Sequence, residues 1–417
     1  MVPEIVKVAI ITIGDELLFG QTLDTNSQWM STELDSCGFT VVYKATVGDN
    51  ETDIISSLAY GATQADVILI TGGLGPTADD LTKPCLAKYF AVPLKSNAAA
   101  LDELKALFQQ INRELSEVNI AQTNLPANAS HISNTLGTAP GMWIKDQGKI
   151  YVSMPGVPFE MKGMMTKHVI PRLRQEFTLP IVVHKIIRTI GIGESWLVEK
   201  IAPWVQGLPE NISLAYLPGV GEVKLRLTSS GKDKSQLDTA INNQVKALLP
   251  YAEKYIYGYD NDEISQVVGE LLRKKGLTLA TAESCTGGFL AHLITSVAGS
   301  SDYFKGSIIA YANEIKVAEL GVSPDTLEKF GAVSEETVSE MAKGIQLRLG
   351  SNVGIATSGI AGPSGGTPDK PVGTIWLAIA LGDTIQTRQL NLFKDRQLNI
   401  KSTAIASLAM LWRILSK

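Results

Sequence analysis

An α/β fold in three successive units is predicted for this chain on three observations. Short apolar runs rich in β-branched residues alternate with amphipathic stretches at helical spacing, an order that builds βαβ units around parallel sheets. Two of the apolar runs end in glycine-dense turns, Thr71-Gly-Gly-Leu-Gly75 and Ser358-Gly-Ile-Ala-Gly-Pro-Ser-Gly-Gly366. Between them, near Leu179-Pro180, the pattern changes to half-exposed strands with few helices, which reads as α+β. The units expected are 1–178, 179–256 and 257–417, in keeping with roughly 150 residues per domain.

Composition narrows the class. Hydrophobic residues are 45% and charged residues 19% of the chain, a globular mix that fills several cores. The net charge of -5 provides no global positive field for nucleic acid or anionic lipid. Cys37, Cys85 and Cys285 are too far apart for a zinc-site spacing and odd in number, so no disulfide framework is expected. The apolar start, 5–13, is interrupted by Lys7 and runs into Gly14-Asp15-Glu16, without the basic leader of a signal peptide. No run approaches the ~18 apolar residues of a membrane span. A cytoplasmic protein with neither membrane nor nucleic-acid partner is expected. His131, His168, His184 and His292 form no metal or triad pattern.

In the first unit, 6–13 reads as a buried strand of a parallel sheet. Asn26 or Thr25 is placed to cap a helix over 27–36, which ends near Gly38. Strand 39–47 leads to Gly48-Asp49-Asn50, then helix 52–63 and strand 66–71 follow. Three glycines in four residues after that strand let backbone approach a phosphate closely. Pro76 suits a helix beginning, which puts Asp79 and Asp80 in a first turn or just before it. Two carboxylates beside such a turn suit a hard divalent metal; alternatively the glycines only make the turn and the aspartates favour a helix N-terminus. Asp15, Asp24 and Asp49 also follow strands, where open α/β sheets bind ligands. Next come a helix over 101–118, an irregular 123–129, a hairpin of 141–145 with 149–154, and the rigid Met154-Pro-Gly-Val-Pro-Phe-Glu160 loop, whose Pro158 can open the helix that follows. Pro171 interrupts the helix after that loop, and Met161, Met164 and Met165 read as packing.

The middle unit takes strands 182–190, 212–216 and 223–228 and helices 195–202 and 234–249. It lacks a Gly-x-x-Gly in a basic loop, the RNA clamp of KH domains, and reads as a spacer or dimer element.

The last unit opens with a helix over 263–275 and a strand over 276–281. Thr281-Ala-Glu-Ser-Cys-Thr-Gly-Gly288 then turns into a helix over 289–297, closed by Gly299. Such a turn leaves N–H groups pointing at whatever lies above it, beside a hydroxyl and a thiol. Strand 307–312 leads to Asn313-Glu-Ile-Lys316, helix 334–349 to strand 352–357, and that strand to the second glycine-rich loop. An antiparallel pair, 372–380 and 384–392, precedes Lys394-Asp395-Arg396 and a helix over 398–414.

These motifs together resemble the CinA (competence/damage-inducible) family over nearly the whole chain. Gly14-Asp-Glu-Leu-Leu-x-Gly20, Asp24-Thr-Asn26, Val47-Gly-Asp49, Thr71 to Asp80 and Met154 to Pro158 resemble a molybdopterin-binding-like domain. The middle unit is similar to the family's KH-type domain. Ala282 to Gly288, Tyr311-x-Asn-Glu-x-Lys316 and Ser358 to Gly366 resemble a nicotinamide-nucleotide amidase. Where the family shows Gly-Asp-Arg, this chain has Lys394-Asp395-Arg396 and keeps the arginine.

The resemblance implies two hydrolases of pyridine-nucleotide turnover in one chain, expected as a homodimer. The last domain would deamidate nicotinamide mononucleotide with no cofactor, Ser284 attacking and a neutral Lys316 accepting its proton. The backbone N–H groups of Thr286 and Gly287 would hold the oxyanion, with Gly288 beside them in the turn. Tyr311, Asn313 and Thr357 would orient the amide, Arg396 with the Gly362 to Gly366 backbone would grip the substrate phosphate, and Glu283 and Gly359 would also bind substrate. Glu283, Cys285 and Lys316 form a rival cysteine triad. The first domain would split ADP-ribose with a divalent ion (Mg, Mn or Co) on Asp15, Asp79 and Asp80. Asp80 is the candidate base, Gly72, Gly73, Gly75 and Thr77 would cradle phosphate, and Asp24 and Asn26 would bind substrate. Pterin-cofactor chemistry at the first domain, or a competence-linked nucleotide-binding protein without turnover, are the other readings.

Overall fold

The computed structural model describes residues 5–77 and 79–416. They fall into two compact units: one runs to Val183 and takes in Ser229–Asp238, and the other holds His184–Thr228 and Thr239 onward.

The first unit is built on a six-stranded sheet in the order Thr40–Val47, Lys7–Ile13, Val67–Thr71, Lys149–Met154, Gly141–Asp146, Ser130–Ile132. The first four strands are parallel and the last two antiparallel. Successive side chains of a strand point to opposite faces, and here both faces are covered. Val8 and Ile10 pack with Met30, Leu34, Met161, Met164 and Met165 on one side. Ala9, Ile11 and Ile13 pack with Ile54, Leu58, Cys85 and Leu86 on the other. This is the doubly wound arrangement expected, and the three methionines are core. The register pairs Thr12 with both Thr46 and Thr71, and Thr71 with Met154, so four carboxyl ends finish along one edge.

Several elements differ from expectation. The helix expected over 101–118 is two, Ala98–Gln110 and Glu117–Ala121. Asn112 takes a φ of 51° between them, and a Ser116–Asn119 capping box starts the second. Asn124–Pro126, expected to be irregular, pairs with Leu94–Ser96. The helix after the glycine-rich turn begins at Thr82 rather than Pro76. Pro171 does interrupt its helix: a π turn over Met165–Val169 separates Pro158–Met164 from Ile170–Glu176.

The second unit carries a five-stranded sheet in the order Phe304–Ile309, Leu279–Glu283, Val353–Gly359, Thr374–Leu381, Thr384–Asn391. The first three strands are parallel and the last two pair antiparallel. Leu279 faces a core with Leu272, Leu290 and Leu408, while Ala280 and Ala282 face Met341 and Ile345. Glu283 is in register with both Ile309 and Thr357, so three strand ends meet. The strand expected over 307–312 ends at Ile309, and the chain turns into helix Asn313–Leu320. That early exit swings Lys316 back over the sheet edge. Helix Pro324–Phe330 was not anticipated.

Most of the middle module packs within this second unit. Arg188 is buried and bonds Glu222, the Asp262 carbonyl and Glu263 (2.8 Å), while the Tyr257 hydroxyl donates to Glu222 (2.7 Å). A buried guanidinium needs such partners on every side, and these join the module's strands to the start of the last domain. Among the described residues, no helix is long and apolar enough to cross a membrane.

Candidate active sites

In the second unit, Leu279–Glu283 feeds Ser284 into a turn that Gly287 and Gly288 reverse with φ of 58° and 97°. A side chain would strain that backbone. The Glu283 carboxylate is buried and accepts the N–H groups of Gly288 (2.9 Å), Leu290 (3.1 Å) and Ala291 (2.8 Å). A negative charge there satisfies orphan donors of the following helix. Ser284 is pinned in turn by its own N–H, which donates to the Thr357 carbonyl at 3.0 Å.

Lys316 is only 1% exposed. Its Nζ lies 3.3 Å from Ser284 Oγ, 2.9 Å from the Ala310 carbonyl and 3.1 Å from the Tyr311 carbonyl. Burial pushes its pKa below the ordinary lysine value, against smaller opposing pulls from Cys285 and Glu314. A neutral amine has two N–H bonds and one lone pair. The two carbonyls take the N–H bonds, and the lone pair is left for the Ser284 hydroxyl. Thus 32 residues of sequence separation close into a hydroxyl–amine contact.

Cys285 does not share that activation. Burial, with the Glu283 charge adding to it, pushes its thiol up to about 12. A thiol so held is protonated at neutral pH and a weak nucleophile.

The contact opens on a cavity of about 190 Å³ lined by Ser284, Tyr311, Asn313, Lys316, Ser358 and Arg396, among others. Arg396, the first residue of helix Arg396–Leu415, spans it: Nη1 donates to the Gly362 carbonyl (2.9 Å) and Nη2 to the Tyr311 hydroxyl (2.7 Å). Gly359 lines the wall where a Cβ would come within 2.5 Å of Ile375.

Other expected residues lie behind the cavity. Glu283, Gly287, Gly288 and Gly362 hold backbone, and Thr357 shares a hydrogen bond with Thr286 (2.8 Å). The expected Thr286–Gly287 oxyanion pair is corrected: the Gly287 N–H donates to the Ser284 carbonyl at 3.1 Å and is spent. Among the described residues no carbonyl accepts the Cys285 or Thr286 N–H, and of these two residues only Cys285 lines the cavity. Ser358, Ala332 and Val333 were not anticipated; Ser358 was legible as the head of the glycine-rich loop, whereas Ala332 and Val333 come from an inter-helix loop without any signal.

In the first unit the strand ends enclose a cavity of about 440 Å³, with Glu16, Asp49, Gly72, Gly73, Gly75, Asp79, Asp80, Gln122 and Glu160 among its walls. Gly72 and Gly73 have φ of 110° and 62°, and a Cβ would lie 2.1 Å from the Ile13 carbonyl or 2.4 Å from Thr82 Oγ1. No larger residue fits where these strand ends cross.

Asp80 has its carboxylate committed. Oδ1 accepts the Gly75 N–H (2.8 Å), and Oδ2 accepts the Thr77 N–H (2.9 Å) and hydroxyl. Thr77 and Asp80 therefore close the loop on each other. Asp15 and Asp49 exchange backbone bonds: the Asp15 N–H donates to Asp49 Oδ2 (3.0 Å) and the Asp49 N–H to Asp15 Oδ1 (3.3 Å). Asp24 caps helix Thr25–Ser36 through the Ser27 N–H (2.9 Å), and Asn26 donates to the Gly156 carbonyl (2.7 Å). Neither lines the cavity.

Among the described residues no three carboxylates are gathered as a preformed metal cage, so Asp15, Asp79 and Asp80 do not converge as a ligand triad. The acidic rim instead joins Glu16, Asp49 and Asp79. Asp49 has its carboxyl raised, first by burial and then by the charges of Asp15, Glu16 and Asp79. Mutually repelling hard oxygens beside a glycine-rich turn fit a divalent cation in chemistry. Glu16, Gln122 and Glu160 were not anticipated, because they reach the cavity from a four-residue helix, a turn and a helix start.

Comparison with known proteins accords with this layout. Residues 9–175 match a probable molybdopterin binding domain, 184–258 a damage-inducible protein CinA KH domain, and 261–415 a CinA C-terminal domain. A CinA-like protein of Cytophaga hutchinsonii is 48% identical over 98% of this chain and 98% of its own length. A putative competence-damage inducible protein of Halothermothrix orenii is 41% identical over 97% of this chain and 98% of its own. Among solved structures, the competence/damage inducible protein CihA from Agrobacterium tumefaciens is 35% identical, with a TM-score of 0.36, over 37% of this chain and 94% of its own. The chain belongs to the CinA family, with the three domains of its full-length members in order.

Proposed function

We propose that the last domain deamidates nicotinamide mononucleotide to nicotinate mononucleotide and ammonia. The contact between Lys316 Nζ and Ser284 Oγ carries this reading. Neutral Lys316 takes the hydroxyl proton as Ser284 Oγ bonds the carboxamide carbon. The N–H groups of Cys285 and Thr286 stabilise the oxyanion, a contribution of about 3–4 kcal/mol for one such donor. Lys316 then returns the proton to the leaving nitrogen, and ammonia departs. Water attacks the ester by the same route in reverse and frees the acid. Arg396 exchanges its bond to the Tyr311 hydroxyl for the substrate phosphate, and Asn313 orients the amide. The test is ammonia release from nicotinamide mononucleotide: Ser284→Ala abolishes it and Cys285→Ala keeps most of it. The reverse outcome transfers the nucleophile to Cys285.

The first domain, by the same proposal, hydrolyses ADP-ribose to AMP and ribose 5-phosphate. Glu16, Asp49 and Asp79, which are not preassembled as a cage, would close on a divalent ion, and that ion would supply charge neutralisation at the pyrophosphate. The Gly72–Gly75 backbone receives the phosphates, while Asp80 and Thr77 keep that loop closed. AMP release that is indifferent to chelator would falsify the metal. Pterin binding at this cavity is the second reading, favoured by the match to a molybdopterin binding domain; retention of a pterin without AMP release would select it.

A further inference from the structure

One carboxylate in the first cavity has no part in the acidic rim. Glu160 stands in the first turn of helix Pro158–Met164 and is 9% exposed. Asn134, itself buried, donates Nδ2 to Glu160 Oε2 at 2.7 Å and to the Ala139 carbonyl at 2.9 Å. The Asn134 backbone N–H bonds Glu103, and its side-chain Oδ1 accepts the Leu136 N–H (3.3 Å), so the amide is held at both ends. Gly137 packs against the whole carboxylate, where a Cβ would come within 2.1 Å of Glu160 Oε2 and 2.5 Å of Oε1. Glu160 Oε1 meets no donor and no cation among the described residues, and it is not sealed from solvent. Buried carboxylates are ordinarily paired or fully hydrogen-bonded. This one is clamped through one oxygen and presents the other to the cavity that the glycine-rich loop also lines.

The structure assigns Glu160, we infer, as the general base of the first domain's hydrolysis, with Asn134 as its positioning residue. The assignment rests on the ADP-ribose reading above. Glu160 Oε1 accepts a proton from water as the water oxygen bonds one phosphorus of the pyrophosphate. The P–O bond to the bridging oxygen breaks, and that oxygen leaves with the other phosphate. AMP and ribose 5-phosphate form, and the proton passes from Glu160 to solvent. The division of labour follows from the walls: Glu16, Asp49 and Asp79 would hold the cation that neutralises charge, the glycine backbone positions phosphate, and Glu160 is left for the proton.

The test uses the full chain with ADP-ribose and Mg or Mn, reading AMP, and with nicotinamide mononucleotide, reading ammonia as a check that the fold is intact. Glu160→Gln is expected to lower kcat for AMP release by about 100- to 1,000-fold, the range of a positioned base. KM should stay within about threefold, because a base that only moves a proton adds little to ground-state binding. Glu160→Ala should recover part of the rate with added formate, which decides the matter if the glutamine variant does not fold. AMP release within about fivefold of wild type in Glu160→Gln, or a loss confined to KM, overturns the base and makes Glu160 a substrate contact. A wild-type chain that releases no AMP overturns the hydrolase reading itself, a separate outcome.

Discussion

Replacing Lys316 by Arg separates a base from a buried cation. Arginine keeps the positive charge and supplies donors for the Ala310 and Tyr311 carbonyls, which lie 2.9 and 3.1 Å from Nζ. It cannot lose its proton at any accessible pH. If Lys316 only stabilised charge, the arginine variant would keep substantial activity. If Lys316 is the base, the variant loses about 10²- to 10⁴-fold in kcat, the contribution of one positioned proton acceptor. That corresponds to about 3–5 kcal/mol at 1.36 kcal/mol per decade. Lys316→Met should lose a comparable amount and also destabilise the fold, since each abandoned buried carbonyl costs about 1–3 kcal/mol. The wild-type pH profile supplies the sign. The neutral amine is the active form, and burial lowers the folded pKa below the ordinary 10.5. Ammonia release should therefore climb with pH and level off before the ordinary lysine value is reached. Stability should rise over the same window, between the folded pKa and the unfolded one, because the unfolded chain binds the extra proton there. The assay is ammonia released from nicotinamide mononucleotide across pH, beside thermal melts of the three proteins. An arginine variant within about tenfold of wild type would refute the base assignment.

The other predictions rest on separate contacts. Cys285, with its thiol pushed up to about 12, should react with iodoacetamide at neutral pH far more slowly than free cysteine, as mass spectrometry of the native chain would show. Glu283→Gln removes the charge that receives three backbone N–H groups; it should cost on the order of 3 kcal/mol in denaturant melts and slow ammonia release by misplacing Ser284. Asp80→Ala unties Gly75 and Thr77, so AMP release should fall while ammonia release holds. Asp49 has its carboxyl raised by burial and by neighbouring charges, so its contribution to stability is present at low pH and lost as pH rises through the folded pKa. Asp49→Asn should therefore melt higher than wild type at neutral pH without added metal, yet need more divalent ion for AMP release.

What was legible in the chain was whatever depends on neighbours in sequence. Alternation of apolar runs with helical periods announces doubly wound sheets, because a strand buried on both faces has no polar side to show. The turns after residues 13, 71, 283 and 357 could be read because only small residues fit strand ends that cross. The difference at Asp80 is instructive. Adjacent aspartates by a glycine turn suggest a metal, but whether a carboxylate faces a ligand or its own loop depends on where N–H groups of residues 75 and 77 point. That is a backbone geometry, and sequence carries it weakly. The same limit produced the error at Gly287, whose N–H turns inward to Ser284. Glu160 and Asn134 were not singled out for another reason: each is ordinary in its own segment, and only packing closes their 26-position separation into a hydrogen bond. Sequence by itself determined the layers and the family motifs, and narrowed the nucleophile to Ser284 or its neighbour Cys285. Tertiary structure alone decided that an amine from a neighbouring helix would be dehydrated beside that hydroxyl, since desolvation belongs to the surroundings of a group and not to the group.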